Sequence, residues 1–310
     1  MSLMRRGAQW ILVAICLGLA SPNIAQPGEQ LSVGQAKIDV VFLSDPPEPL
    51  RTMVLDWISA AARAVATYYE RFPVAQLEIR VSLYEGSGIE GGQVPGWNNG
   101  LITIGVGLSS TAIHFARDWI MTHEMVHLAF PTVSDRHHWM EEGLATYVEP
   151  IARARAGELS AKHIWAEMVR DMPQGLPLAG DSGLDFTRTW ASTYWGGALF
   201  CLLADVEIRK RTGNTKGLEH ALRAIRKQCG TVDTNYDLAS AFEIGDRAVG
   251  VPVLQELYDK MKATPMPVDL DQLWKDLGVE RRAGDVSFDD TAPLASIRKA
   301  ITQSVDRSKN

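Results

Sequence analysis

The sequence predicts an α+β fold in which a small N-terminal mixed-sheet lobe is followed by a mainly helical lobe. Three observations predict it. Strand-like segments at 36–43, 77–84 and 101–106 surround a single helical segment in the first third of the chain. From Ser109 onward the apolar spacing is mostly helical. The chain has 310 residues, 46% hydrophobic and 22% charged, which suits a globular protein with enough material for a sizeable core.

The elements follow in order. Residues 1–25 begin with Arg5 and Arg6, continue with an apolar run at 10–20 and end in small residues. This is the pattern of a secretory signal peptide, cut after Ala25, and the run is too short for a comfortable membrane span. The expectation is therefore a periplasmic or secreted protein with no stable membrane span after cleavage. Removing the segment takes away two arginines and no acid, moving the formal charge from −6 to −8. An acidic balance argues against nucleic acid as a partner. Cys201 and Cys229 remain, either as a disulfide in an oxidising compartment or as two buried thiols.

Residues 36–43 (AKIDVVFL) read as a strand, 45–49 as a Pro-rich turn and 50–72 as a helix. Residues 77–84 (LEIRVSLY) alternate as a half-buried strand does. A Gly-rich stretch at 86–100 leads into the strand-like 101–106. Ser109 or Ser110 can cap a long helix that Pro131 ends. A second helix is expected over 138–156, with shorter ones at 159–171, 192–212, 215–228 and 251–262. Gly213 and Gly230 stand where helix C-caps belong. The last thirty residues are weakly patterned and polar. The expected division is 1–25 signal peptide, 36–107 N-terminal α/β lobe, 108–280 helical lobe and 281–310 C-terminal tail.

The strongest chemical signal is His123-Glu124-Met125-Val126-His127, an HExxH pattern. On a helix, residues i and i+4 share a face, so both imidazoles can reach one metal ion. Glu124 lies about 100° further round, where a general base for an attacking water belongs. Ala112, Ile113, Ala116, Trp119, Ile120 and Phe130 fall on the histidine side and predict a helix with one large inward apolar face. A catalytic zinc needs a third protein ligand. The candidates are Asp135, His137, His138, Glu141 and Glu142. On the second helix Met140, Leu144, Tyr147, Val148 and Ile151 form the apolar stripe. Glu142, Thr146 and Glu149 lie on the opposite stripe, and Glu141 on the flank. Glu142 therefore has the better direction.

HExxH followed by Trp139-Met140-Glu141-Glu142-Gly143-Leu144-Ala145-Thr146-Tyr147 (WxxEGLAxY) resembles the gluzincin clan of zinc metallopeptidases. It is nearest to the peptidase MA-like families and more distantly similar to the membrane alanyl aminopeptidases. The fourteen residues between His127 and Glu142 match the compact members. The resemblance implies a thermolysin-like catalytic core with the zinc site in the cleft between the two lobes. It implies Zn²⁺ held by His123, His127 and Glu142, with Glu124 as the base. Tyr194-Trp195-Gly196-Gly197-Ala198 resembles a segment of the same clan whose Tyr stabilises the oxyanion, which points to Tyr194. The clan also pairs an edge strand with its peptide substrate, and residues 86–106 stand in the right order for that. Thr146 stands where thermolysin-like enzymes carry an acid that orients a zinc histidine. The G-x-M-E-N motif with which aminopeptidases hold a free N-terminus is missing, and Glu90-Gly91-Gly92 is only a weak imitation. The expected function is an exported endopeptidase acting on peptides or proteins. The alternatives are an aminopeptidase with the same site and a non-catalytic peptide-binding protein on a peptidase fold.

Overall fold

Alternating apolar and polar residues build the sheet strands β1 (Glu29–Val33) and β2 (Ala36–Phe42). They form an antiparallel pair whose tight connection uses Gly34 at φ 59°, a backbone region that glycine enters without steric cost. The computed structural model describes residues 28–94 and 100–304, so the expected signal peptide lies outside the described residues. Helix α1 (Glu48–Tyr69) crosses from β2 to β3 (Gln76–Tyr84), which runs parallel to β2. Strand β4 (Ile89–Gln93) and strand β5 (Leu101–Gly107) complete the sheet. Its order is β1-β2-β3-β5-β4, with β5 parallel to β3 and β4 antiparallel to β5 at the edge. The inward residues of β2, β3 and β5, among them Ile38, Val40, Ile79 and Ile102, are fully buried.

The long helix expected from 109 to 130 is broken in two. Helix α2 (Ala112–Arg117) ends at Asp118, which is extended at φ −69° and ψ 139°. Helix α3 (Ile120–His127) then carries the HExxH residues. The Asp118 carboxylate accepts from the backbone N–H of Met121 and from Trp57 Nε1, both at 3.1 Å. It caps the second helix while anchoring the break to α1. The expected common apolar face across 112–130 is therefore overturned. Ile113 and Trp119 are 54% and 51% exposed, because residues before the break are out of register with those after it.

Helix α4 (His138–Arg155) has the expected stripe: Met140, Leu144, Tyr147, Val148 and Ile151 are all buried. Helix α5 (Ala161–Asp171) is capped by Ser160, whose hydroxyl accepts from His163 N at 3.1 Å. The segment expected as one helix from 192 begins as a π-helical turn over Ser192–Gly196 and continues as α6 (Gly197–Arg211). Helices α7 (Leu218–Cys229), α8 (Leu238–Val249), α9 (Val253–Met261) and α10 (Leu270–Leu277) follow. Residues read as a weakly patterned tail contribute a hairpin, β6 (Val279–Arg282) with β7 (Asp285–Phe288), and helix α11 (Ala295–Thr302). These pieces are too short for a periodic signal, and they hold through scattered buried anchors such as Val286, Ile297 and Ile301. Cys201 and Cys229 are both buried and free. Among the described residues, no helix is long and apolar enough to cross a membrane.

A buried charge network ties α4, α6 and α7 together. Arg209 donates to both Glu219 oxygens at 2.8 and 2.9 Å and to Asp205 at 2.8 Å. Tyr147 donates to the other Asp205 oxygen at 3.0 Å. Burial opposes ionisation of Glu219, but Arg155 and Arg209 outweigh it and hold the carboxyl down at about 2. In an unfolded chain it would titrate at about 4.3. Its stabilisation is thus complete above that value and is lost as pH falls towards 2. We expect Glu219→Gln to weaken the fold at neutral pH and to flatten the acid limb of stability between about pH 4.5 and 2. Urea unfolding across that range is the measurement, and an unchanged limb would assign the acid sensitivity to other groups.

Candidate active site

Helices α3 and α4 meet so that three side chains separated in sequence converge. His123 Nε2 lies 3.2 Å from Glu142 Oε2, and His127 Nε2 lies 3.7 Å from the same oxygen. The three ligand-type atoms all fall within 4.8 Å of one another. The two imidazoles meet edge to face at 4.8 Å between ring centroids, one turn apart on α3. The other candidates go elsewhere. His137 faces the buried Asp185 at 3.0 Å. Glu141 accepts from the backbone N–H of Val133 at 3.1 Å and contacts His138 Nδ1 at 3.1 Å. Asp135 sits in a short turn of 3-10 helix before α4.

The chemistry of this donor set suits a divalent metal. Burial pushes the His127 imidazole down to about 3, which keeps its nitrogen free to coordinate. Burial would raise Glu142, but its hydrogen bond with His123 and the neighbouring imidazoles hold it at about 2. It is therefore a carboxylate. Two imidazoles and one carboxylate leave a fourth position open on a tetrahedral ion.

Glu124 stands outside the cluster, against edge strand β4. The backbone N–H of Val94 donates to its carboxylate. Burial, and then the charge of Glu142, raise this carboxyl to about 7. The approach is so close that a Cβ on Gly92 would lie 2.3 Å from Ile120 and 2.9 Å from Glu124 Oε1. Only glycine lets the strand edge come this near.

Tyr194 arrives from the π-helical turn. Its ring lies parallel to His123 at 6.2 Å between centroids, and its hydroxyl bonds with Glu142. Burial, then Glu142, raise it to about 12, so it is a neutral donor at any ordinary pH. What brings it there is a contact between glycines. A Cβ on Gly143 would lie 2.2 Å from Gly197 Cα, and one on Gly197 would lie 2.1 Å from the Trp139 carbonyl oxygen. The EG of α4 and the GG opening α6 therefore form one contact, and it seats the turn carrying Tyr194 over Glu142.

Three further residues border the site: His138, one of the candidate third ligands, Trp119 and Trp190. His138 Nε2 lies 3.5 Å from Glu142 Oε1. The i, i+4 spacing on α4 was a usable signal for it. Trp119 contacts His123 edge to face at 5.1 Å, and Trp190 stacks on Tyr194 at 5.5 Å. Glu149, on the same stripe as Glu142, pairs with Arg153 at 2.8 Å.

No family model matches this chain, and no curated protein matches its sequence. Solved structures do match its fold. An aminopeptidase N family protein from Idiomarina loihiensis superposes with a TM-score of 0.59 at 14% identity, covering 81% of this chain and 49% of that one. An M1 zinc metallopeptidase from Deinococcus radiodurans gives 0.50 at 16% identity, covering 77% and 53%. The chain spans about half the length of the solved structures it matches. At these identities the likeness is one of fold: an N-terminal mixed sheet leading into a mainly helical part, consistent with M1 peptidase domains.

Proposed function

We propose that this chain is a zinc metallopeptidase that hydrolyses peptide bonds, with His123, His127 and Glu142 as metal ligands, Glu124 as general base and Tyr194 as oxyanion donor. The observation that carries the reading is the convergence of these five side chains on one cleft beneath the edge of the sheet. The cleft measures about 630 Å³ and is bounded by Gly91, Gly92, Gln93 and Val94 of the edge on one side and by the histidines on the other. The fold neighbours, named as zinc metallopeptidases, support the choice of metal. The basic and apolar start of the chain supports an exported enzyme.

Zinc in such a site supplies a Lewis acid that activates water near neutral pH and polarises a carbonyl. The chain supplies the rest. The exposed edge of β4 offers backbone groups to an extended peptide. Glu124, with its carboxyl near 7, takes the proton from the attacking water and returns it to the leaving amine. The Tyr194 hydroxyl donates to the oxygen on which charge develops.

Endopeptidase action is the first reading. Among the described residues, the acids lining the cleft are Glu124, Glu141 and Glu142. The first has the base role, the third binds metal, and Glu141 is held by Val133 and His138. None is left to grip a substrate ammonium. The aminopeptidase reading draws support from the family name of the Idiomarina neighbour. Product patterns separate the two: internal cuts against stepwise loss of N-terminal residues.

The test of the site is metal content. Purified wild type should hold near-stoichiometric zinc, and Glu142→Ala should weaken binding by at least about 10-fold, since second-sphere losses alone cost 10–100-fold. A wild type that holds no zinc after reconstitution would sink the proposal. Peptide binding without cleavage would favour a non-catalytic binding role.

A further inference from the structure

A second cavity, of about 660 Å³, opens beside the metal cluster and shares Trp119, His123 and Tyr194 with the cleft. Its volume falls in the range of about 300–1,000 Å³ common to ligand sites. Helix α4 contributes Tyr147, helix α5 and its C-terminal end contribute Met168 and Met172, and the segment around Tyr194 contributes Trp190 and Trp195. The buried charges on its wall, Glu149 and Arg153, are paired with each other at 2.8 Å, and Arg153 also donates to the Ala116 carbonyl at 2.9 Å. The pocket's other charged lining residues are the exposed Arg117 and the mutually paired His163, Glu167, Arg170 and Asp171, so the buried wall does not require a charged occupant. Trp119 and Trp190 are 51% and 61% exposed; Trp119 lines both cavity and cleft, and Trp190 lines the cavity and stacks on Tyr194. Isolated exposed apolar residues need no explanation, but two indoles flanking a cavity beside reactive groups do.

We infer that this cavity receives the side chain of the substrate residue next to the scissile bond and selects a bulky, uncharged aromatic one. The inference rests on the peptidase reading for its placement beside the bond. Three indoles, two phenol rings and two thioethers favour an aromatic over an aliphatic of similar area, through ring–ring and sulfur–ring contacts. The shared residues make the assignment geometric: Trp119 and Tyr194 line both the metal cleft and the cavity, so a side chain entering it belongs to the residue adjoining the reacting carbonyl.

The experiment uses the full chain with zinc and a set of matched peptides differing at the one flanking position, carrying Phe, Trp, Ala, Lys or Glu. The kcat/KM ratio of Phe or Trp over Ala should be about tenfold or more, as apolar pockets discriminate on that scale. Trp190→Ala removes an exposed wall and should cut that ratio severalfold. Met168→Trp fills the cavity and should bring it to one or below. Equal use of all five peptides, a preference for Lys or Glu, or a ratio unmoved by Trp190→Ala would overturn the inference. Calorimetric binding of the same peptides to the Glu124→Gln form keeps the two readings apart. Aromatic-selective binding that Trp190→Ala removes supports the cavity even if wild type cuts nothing, and the failure then belongs to the peptidase reading. Binding with no aromatic preference overturns the cavity assignment by itself.

Discussion

Glu124→Gln should leave zinc binding intact and lower peptide hydrolysis by about 10²–10⁴-fold, the usual contribution of a positioned acid–base group. The separation of these two effects is what the geometry predicts. Glu124 is not among the three converging donors, so a neutral isostere removes no ligand. Its carboxylate nevertheless sits against β4, accepting from Val94 and raised to about 7 by burial and by Glu142. A proton acceptor in that range can take a proton from water and give it up again within one turnover, whereas an amide can do neither. Metal content and steady-state hydrolysis measured on one preparation would decide it. Activity within about threefold of wild type would remove the base role. Loss of zinc would mean that Glu124 supports the metal site instead.

The second large effect is expected at a residue with no side chain. Replacing glycine by alanine within a helix usually stabilises it by about 0.8–1 kcal/mol. At Gly197 the sign should reverse. The new methyl would meet the Trp139 carbonyl oxygen at 2.1 Å and Gly143 Cα at 2.7 Å. Both are backbone, so no rotamer change relieves the contact. Overpacking of this kind costs about 1–3 kcal/mol, more than the propensity gain. Because α4 carries Glu142 and the turn before α6 carries Tyr194, forcing these backbones apart also separates the oxyanion donor from the metal ligand. We expect Gly197→Ala to lower the unfolding free energy by about 1–2 kcal/mol and to reduce kcat more than it raises KM. Denaturant unfolding and steady-state kinetics test the two parts. A stabilised, fully active Gly197→Ala would show that the α4–α6 contact has slack.

Much of the fold was legible because strands and helices write their periods into neighbouring residues. Strands β2, β3 and β5 and helices α1 and α4 lie close to their expected bounds. The break between α2 and α3 was not legible. Nothing local to Asp118 forbids a helix; its side chain prefers to cap Met121 and bind Trp57, and Trp57 is 61 residues away in sequence. The hairpin and helix after Val279 were missed for a different reason, since elements of four to eight residues hold too few apolar positions for a period to show. His137 and His138, both candidate third ligands by sequence, part ways in the structure. His137 turns away to Asp185, but His138 reaches the second oxygen of Glu142.

The sequence by itself determined the pairing of His123 with His127, the offset of Glu124 and the direction of Glu142. Each follows from the 100° step and 1.5 Å rise of an α-helix, set by hydrogen bonds spanning four residues. The tertiary structure alone decided that α3 and α4 bring Nε2 of His123 within 3.2 Å of Glu142. It alone decided that Gly143 and Gly197 touch so that Tyr194 overlies the carboxylate, that Gly92 admits the sheet edge to Glu124, and that an aromatic-walled cavity adjoins the cluster. Those are properties of surfaces meeting across tens of residues. Close packing fixes them, and no local backbone rule reaches that far.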